Sequence, residues 1–248
     1  AYYDTNATKN TNDKYLDNDY YAIKYITSHG DKATAGLLLG DQYGKPIKNN
    51  IYMWGRGGNY SIGQSNDPWE YVLYPRLIEL YEDSNDTTYY DTNAIKNTND
   101  KYLDANYYGI DLSISRSSQN TFITVGDENG NPIRNNIYVM GRDLDNSTDT
   151  NVGENFGIGI TNQKDIRFPI NINTRIDSNI DTGIQISDIP DDYIALQCQS
   201  GPSQTFMILG DLNNNPIPDN LYVTGYNKVG EMGYDTNLND QGQIFSST

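Results

Sequence analysis

The sequence predicts an all-β protein made of about three tandem, small β-sandwich modules. The first reason is that the chain repeats itself. Gly40-Asp41, Gly44, Pro46-Ile47 and Asn50-Ile51-Tyr52 return as Gly126-Asp127, Gly130, Pro132-Ile133 and Asn136-Ile137-Tyr138. They return again, altered, as Gly210-Asp211, Pro216-Ile217 and Asn220-Leu221-Tyr222. The three prolines are 86 and then 84 residues apart, too long a period for one supersecondary unit and suited to a small domain. The second reason is apolar/polar alternation in every copy, the period of a half-buried strand. The third is the lack of any sustained helical period in the chain.

Each copy reads as the same series of elements. A polar leader comes first: Tyr2-Tyr3-Asp4-Thr5-Asn6-Ala7 reappears as Tyr89 through Ala94, and Lys9 through Asp17 as Lys96 through Asp104. A first strand follows, Tyr21–Ile26, Ile110–Ser115 or Tyr193–Cys198. A second is centred on Leu37-Leu38-Leu39, Phe122–Val125 or Phe206–Leu209 and ends in Gly-Asp. The next four residues form a turn. Asn129-Gly130 tolerates positive φ at both positions, and Asn214 can stand in for the glycine of the other copies. A third strand, Ile51–Trp54, Ile137–Met140 or Leu221–Thr224, closes on Gly55, Gly141 or Gly225. Tyr71–Pro75 then matches Asp165–Pro169, and the third copy is expected to lack this last strand. The second copy carries a polar insertion before it. Boundaries near 87 and 174 divide the chain into 1–87, 88–173 (insertion 143–154) and a shorter, divergent 174–248.

The segment Asp127-Glu128-Asn129-Gly130-Asn131-Pro132-Ile133, with its copies, resembles a hairpin of immunoglobulin-like β-sandwich repeats in microbial surface proteins and phage or virion fibres. The resemblance covers about a dozen residues per copy and identifies no specific family. It implies immunoglobulin-like modules in a stalk, adhesin or virion appendage.

Bulk composition narrows the function classes. The net charge is −16 and the isoelectric point near 4.2, so a phosphate backbone would be repelled and nucleic acid is not an expected partner. Hydrophobic residues make up 36% of the chain, and 22 tyrosines add apolar area while keeping a hydroxyl for water. That suits several thin cores better than one deep one. Cys198 is the single cysteine; it has no disulfide partner in the chain, and in an alternating stretch it is expected to be a packed thiol. No apolar run approaches membrane-spanning length, and no signal peptide is visible. A start at Ala1 rather than Met is expected of a trimmed chain.

Sites for chemistry are few. His29, the single histidine, sits in a turn signal and lacks the partners of a hydrolytic triad, so a surface turn residue is expected. Gly55-Arg56-Gly57-Gly58-Asn59 is glycine-rich, but a phosphate loop opens a helix and no helix follows, so a flexible loop is expected. In the insertion, Asp143, Asp145, Ser147, Asn151 and Glu154 fall at positions 1, 3, 5, 9 and 12 of a loop that could wrap Ca²⁺. Thr148 stands where the helix–loop–helix calcium loop needs glycine, which counts against it. The leader carboxylates Asp13, Asp17, Asp19, Asp100 and Asp104 are a second calcium candidate, against a polar linker. Trp54, Trp69 and Tyr52 form an aromatic group that could stack on a sugar, although Met140 at the place of Trp54 also fits a core position.

The expected function is therefore non-enzymatic: a structural or adhesive subunit of an extracellular filament, surface layer or virion appendage. It would act through multivalent contacts between modules and subunits and would self-assemble at the cell or virion surface. The alternative is a lectin-like protein binding a surface glycan. Tyr2, Tyr3, Asp4, Tyr89, Tyr90 and Asp91 are the candidate assembly residues, because a leader that fits the same groove twice would hold its sequence. Residues 88–105 are accordingly expected to dock on a neighbouring module, and residues 1–18 on a preceding subunit or upstream module, in the manner of a strand added to an open edge.

Overall fold

Alternating segments bounded by Gly, Pro and Asn become twelve strands in a computed structural model that describes residues 16, 19–28, 33–56, 62, 71–78, 103, 106–115, 120–141, 166–172, 193–201, 204–211, 213–225 and 245–246. The first repeat supplies β1 (Tyr21–Thr27), β2 (Thr34–Gly40), β3 (Pro46–Arg56) and β4 (Tyr71–Leu77). The second supplies β5 (Tyr108–Ile114), β6 (Asn120–Gly126), β7 (Pro132–Gly141) and β8 (Ile166–Asn171). The third supplies β9 (Ile194–Ser200), β10 (Gln204–Gly210), β11 (Pro216–Gly225) and β12 (Phe245–Ser246). Each set forms one antiparallel sheet with its strands in chain order. The all-β class thus holds, with three antiparallel sheets.

Two expectations change. An immunoglobulin-like sandwich needs two facing sheets per module, whereas the described strands of each repeat lie in a single meander. The second layer comes from the next repeat: β5 touches β1, β2 and β3, and β9 touches β5, β6 and β7. A sheet with one apolar face must bury it somewhere, and here the neighbouring sheet does so. Among the described residues, therefore, the cores are not separate. One cluster of buried side chains runs through all three sheets, from Leu38, Ile51 and Met53 through Phe122, Ile137 and Met140 to Met207 and Leu209. The third repeat also has a fourth strand after all: Phe245 pairs with Val223 and Ser246 with Tyr222, in the place of β4 and β8. The proposed boundaries at 87 and 174 lie outside the described residues.

The hairpin turns follow the sequence reading closely. Asp41, Asp127 and Asp211 each accept two backbone N–H bonds through Oδ1, from Tyr43 and Lys45, Asn129 and Asn131, and Asn213 and Asn215, at 2.8 and 2.9 Å each time. A carboxylate there organises its own turn, as Asx motifs do. Gly44, Gly130 and Asn214 occupy the left-handed position with φ of 82°, 84° and 63°. Asn214 thus takes the glycine's conformation, which Asn tolerates better than most residues.

Register fixes the faces. β1, β5 and β9 each carry an extra residue against the second strand, at Ile23, Ile110 and Leu196. Tyr25, Leu112 and Cys198 are then equivalent, as are Ala22, Gly109 and Ala195. Cross-strand partners share a face, so Tyr25, Leu37 and Tyr52 lie on one face of the first sheet and Leu38 and Ile51 on the other. The second face meets the second repeat: a Cβ built on Gly36 would lie 2.2 Å from Leu112 Cδ2. Glycine at 36 makes the room that Leu112 occupies.

Candidate assembly interface

The junctions between sheets are built from one recurring device. In β3, Asn49 adopts φ 53°, and in β7 Asn135 adopts φ 52°, a left-handed kink that interrupts the ladder. Each kink sends a backbone N–H to the next repeat: Asn49 N–H donates to the Tyr107 carbonyl at 2.9 Å, and Asn135 N–H to that of Tyr193 at 2.8 Å. The following asparagine then clasps a peptide of the next first strand. Asn50 Nδ2 donates to the Gly109 carbonyl at 2.8 Å, while Gly109 N–H donates to Asn50 Oδ1 at 2.7 Å. Asn136 repeats this with Ala195, at 2.9 and 2.8 Å. The spare N–H of Asn50 goes to the Leu39 carbonyl in its own sheet. A primary amide can match a peptide on both sides in this way because it carries the same donor and acceptor pair.

Both asparagines are fully buried, so the bonds form away from water, where leaving the groups unpaired would be costly. Burial also limits what the clasped residue can be. A Cβ on Gly109 would fall 2.7 Å from Ile51 Cγ1 and 3.0 Å from Asn50 Oδ1. The third repeat carries Ala195 at that place, the next smallest side chain.

Other contacts fill the junctions differently. At the first, the Tyr107 hydroxyl donates to the Ile78 carbonyl at 2.6 Å, and Lys24 pairs with Asp111 at the surface. At the second, Tyr193 accepts from Ile137 N–H at 3.2 Å. Ser200 N–H donates to Ser113 Oγ at 2.7 Å, and Ser200 Oγ donates to Asn120 Oδ1 at 3.1 Å. Burial pushes the Tyr193 hydroxyl and the Cys198 thiol well above their ordinary titration ranges, so both stay neutral. Cys198 is the packed thiol expected from its alternating stretch.

Of the two leaders, Leu16 and Leu103 fall among the described residues. Leu103 N–H donates to the Pro169 carbonyl and Leu16 N–H to that of Pro75. The end of each leader therefore ties down the last strand of its own repeat. The link to the preceding repeat is made a few residues later, by Tyr107. Tyr2, Tyr3, Asp4, Tyr89, Tyr90 and Asp91 lie outside the described residues.

So do Asp143, Asp145, Ser147, Asn151 and Glu154, as well as His29, Trp69, Asp13, Asp17, Asp100 and Asp104. Among the described residues no group of three or more His, Cys, Asp or Glu is placed to hold a metal ion, and no helix is long and apolar enough to cross a membrane. Gly55 and Arg56 belong to β3 rather than to a flexible loop: Arg56 N–H bonds the Ala33 carbonyl at 2.9 Å, and its guanidinium lies 5.6 Å from the Tyr71 ring centroid. Tyr52 and Trp54 share the outward face of the first sheet, half-buried, and Trp54 packs against the core. The clasping asparagines lie inside the best repeat of the sequence, where they read as part of a strand and not as a contact to the next repeat. The available signal was an amide at the same place in three apolar strands.

No family model matches this chain, and no curated protein does. Among solved structures, the crystal structure of human WBSCR16 is similar at a TM-score of 0.45 and 15% identity, over 94% of this chain and 41% of that one. The chain thus spans about two-fifths of that protein's length, and a likeness at this level carries no argument about function.

Proposed function

We propose that this protein is a non-enzymatic structural or adhesive subunit of an extracellular filament, surface layer or virion appendage. The observation behind this reading is the junction itself, in which an asparagine clasps the backbone of the next repeat at both sheet-to-sheet contacts. A contact that reads backbone more than side chains can be repeated along a series, and serial repeats give reach and multivalency. The clasping amides and the backbone N–H groups of the kinks are engaged in joining sheets. A Ca²⁺ ion at 143–154 belongs to this proposal as an accessory, and chelation with loss of thermal stability is its test.

A second reading, a lectin-like protein, draws on Tyr52 and Trp54 lying on one outward face of the first sheet. Negative-stain microscopy with light scattering over a range of concentrations separates the two. Ordered particles or fibres support the structural reading. Dispersed monomers that bind a glycan array overturn it in favour of the lectin.

A further inference from the structure

The first and third sheets each present a face whose equivalent in the other repeats is covered by a neighbouring sheet. Residues that enter the preceding repeat are buried in the second and third copies. Tyr107 is 5% exposed and Tyr193 3%, whereas the equivalent Tyr20 is 50% exposed. Leu112 and Cys198 are buried, whereas Tyr25 at their place is 65% exposed. Met140 is fully buried where Trp54 is half-buried. Ala22, equivalent to the clasped Gly109 and Ala195, is exposed on an edge strand. Alanine is a poor strand former at an exposed edge, but a small residue is what the clasp accepts.

The receiving side is equally recognisable in the third repeat. Asp219 has φ 51°, the kink of Asn49 and Asn135. Asn220 follows it as Asn50 and Asn136 follow theirs, with Nδ2 on the Leu209 carbonyl at 3.0 Å as Asn50 bonds Leu39. Asn220 and Leu221 are half-buried, against fully buried Asn50, Ile51, Asn136 and Ile137. Phe206 and Ile208 share this face and are half-buried too.

We infer that the third sheet of one copy receives the first sheet of a second copy of this chain. Asn220 clasps the Ala22 peptide, Asp219 N–H reaches the Tyr20 carbonyl, and Tyr25 and Trp54 pack over Leu221 and Phe206. The second copy is favoured because the first and third sheets of this chain carry complementary halves of a junction that the chain already makes twice. Such a contact joins unlike surfaces head to tail and generates a ring or an open filament. This inference rests on the structural reading above and names its contact.

The test uses the whole chain at near-physiological salt, where repulsion between copies of charge −16 is screened. Light scattering is expected to show concentration-dependent assembly that Ala22→Arg and Asn220→Ala each weaken at least tenfold, with circular dichroism unchanged. Chains carrying Ala22→Cys, mixed with chains carrying Asn220→Cys, should form a disulfide-linked dimer on oxidation. Assembly that survives both Ala22→Arg and Asn220→Ala overturns this contact and leaves the structural reading standing. A chain that stays monomeric at every concentration overturns both. An internal disulfide in a chain carrying both cysteines would show the two faces meeting within one molecule and overturns the second-copy assignment.

Discussion

The two junctions in this molecule share a skeleton and differ in filling. Both use a left-handed residue, an asparagine clasp and a buried tyrosine at the start of the next repeat. Yet the clasped residue is glycine at the first and alanine at the second. The tyrosine hydroxyl donates to Ile78 at one and accepts from Ile137 at the other. A serine ladder is described at the second junction, and a Lys24–Asp111 pair at the first. The lesson is that backbone hydrogen bonds set how one sheet meets the next, and side chains fill the space that this leaves. Peptide groups look alike in every copy, so a contact aimed at them survives sequence divergence that would spoil packing.

The comparison breaks most decisively at the clasp. Asn50→Ala and Asn136→Ala should each destabilise the protein by about 3 kcal/mol, since the N–H and C=O of Gly109 or Ala195 would be left buried at about 1–3 kcal/mol apiece. Asn220→Ala, at a half-buried position, should cost under about 1 kcal/mol in the monomer. Urea denaturation checks the contrast. Equal losses at all three positions would mean that the asparagines serve their own hairpins and not the junctions.

Next in size is the difference between glycine and alanine. Gly109→Ala places a Cβ 2.7 Å from Ile51 Cγ1 and should cost about 1–3 kcal/mol by overpacking. Ala195→Gly removes a buried methyl group and loosens a strand, for about 1 kcal/mol. Trimming Ile51 to Val in the Gly109→Ala background should return part of the loss. Valine removes Cδ1, which would lie 2.8 Å from the new Cβ, but keeps Cγ1, so no recovery in the double variant would show that the Cδ1 contact is not what limits position 109.

Cys198 sharpens the picture of the second junction without a large energetic effect. Its burial, and a thiol pushed well above the ordinary range by desolvation, should keep it silent to Ellman's reagent until the chain opens. Titrating that reaction against urea then reports how tightly the second and third sheets are held. Labelling at a rate near that of a free thiol in the native protein would contradict the packing described.

Much of this architecture was legible in the sequence, and the reason is local. The turns could be read because Asp41, Asp127 and Asp211 act on residues two and four positions away, and Asn214 declares its left-handed φ by its identity. Strand positions came from alternation, which a sheet face imposes directly. What was not legible was the partner of each sheet. Alternation shows that a face is buried but not whether the cover is a second sheet of the same module or the first strand of the next. The sandwich expectation failed at that step, and the clasp of Asn50 on Gly109 spans 59 residues. The contacts of Leu16 and Leu103 were not legible for a related reason: they use backbone N–H groups, which leave no mark in the sequence.

The smallest expected effect concerns the turn tips, which lie outside the junctions and serve as a control for them. Hydrogen bonds from Asn131, first from its side chain and then from its backbone, hold the Asp127 carboxyl below its ordinary value of 3.8. Backbone hydrogen bonds from Asn215 and Asn213 do the same for Asp211. A carboxylate with a depressed folded-state pKa adds stability above its unfolded pKa and loses it as pH falls through the folded value. The contribution of these turns should therefore be constant at neutral pH and decline below about pH 4. Both residues are only half-buried at the turn tips, so the effect is small and screened by salt. The urea midpoint, followed from about pH 6 to about pH 2, should fall less in a chain carrying Asp127→Asn and Asp211→Asn together than in the unaltered protein. Asparagine keeps an acceptor for the turn and has no proton to gain. Identical pH profiles would mean that acid acts elsewhere. A steeper fall in the double variant would reverse the sign of the argument and show that the charged turns repel one another more than they organise themselves.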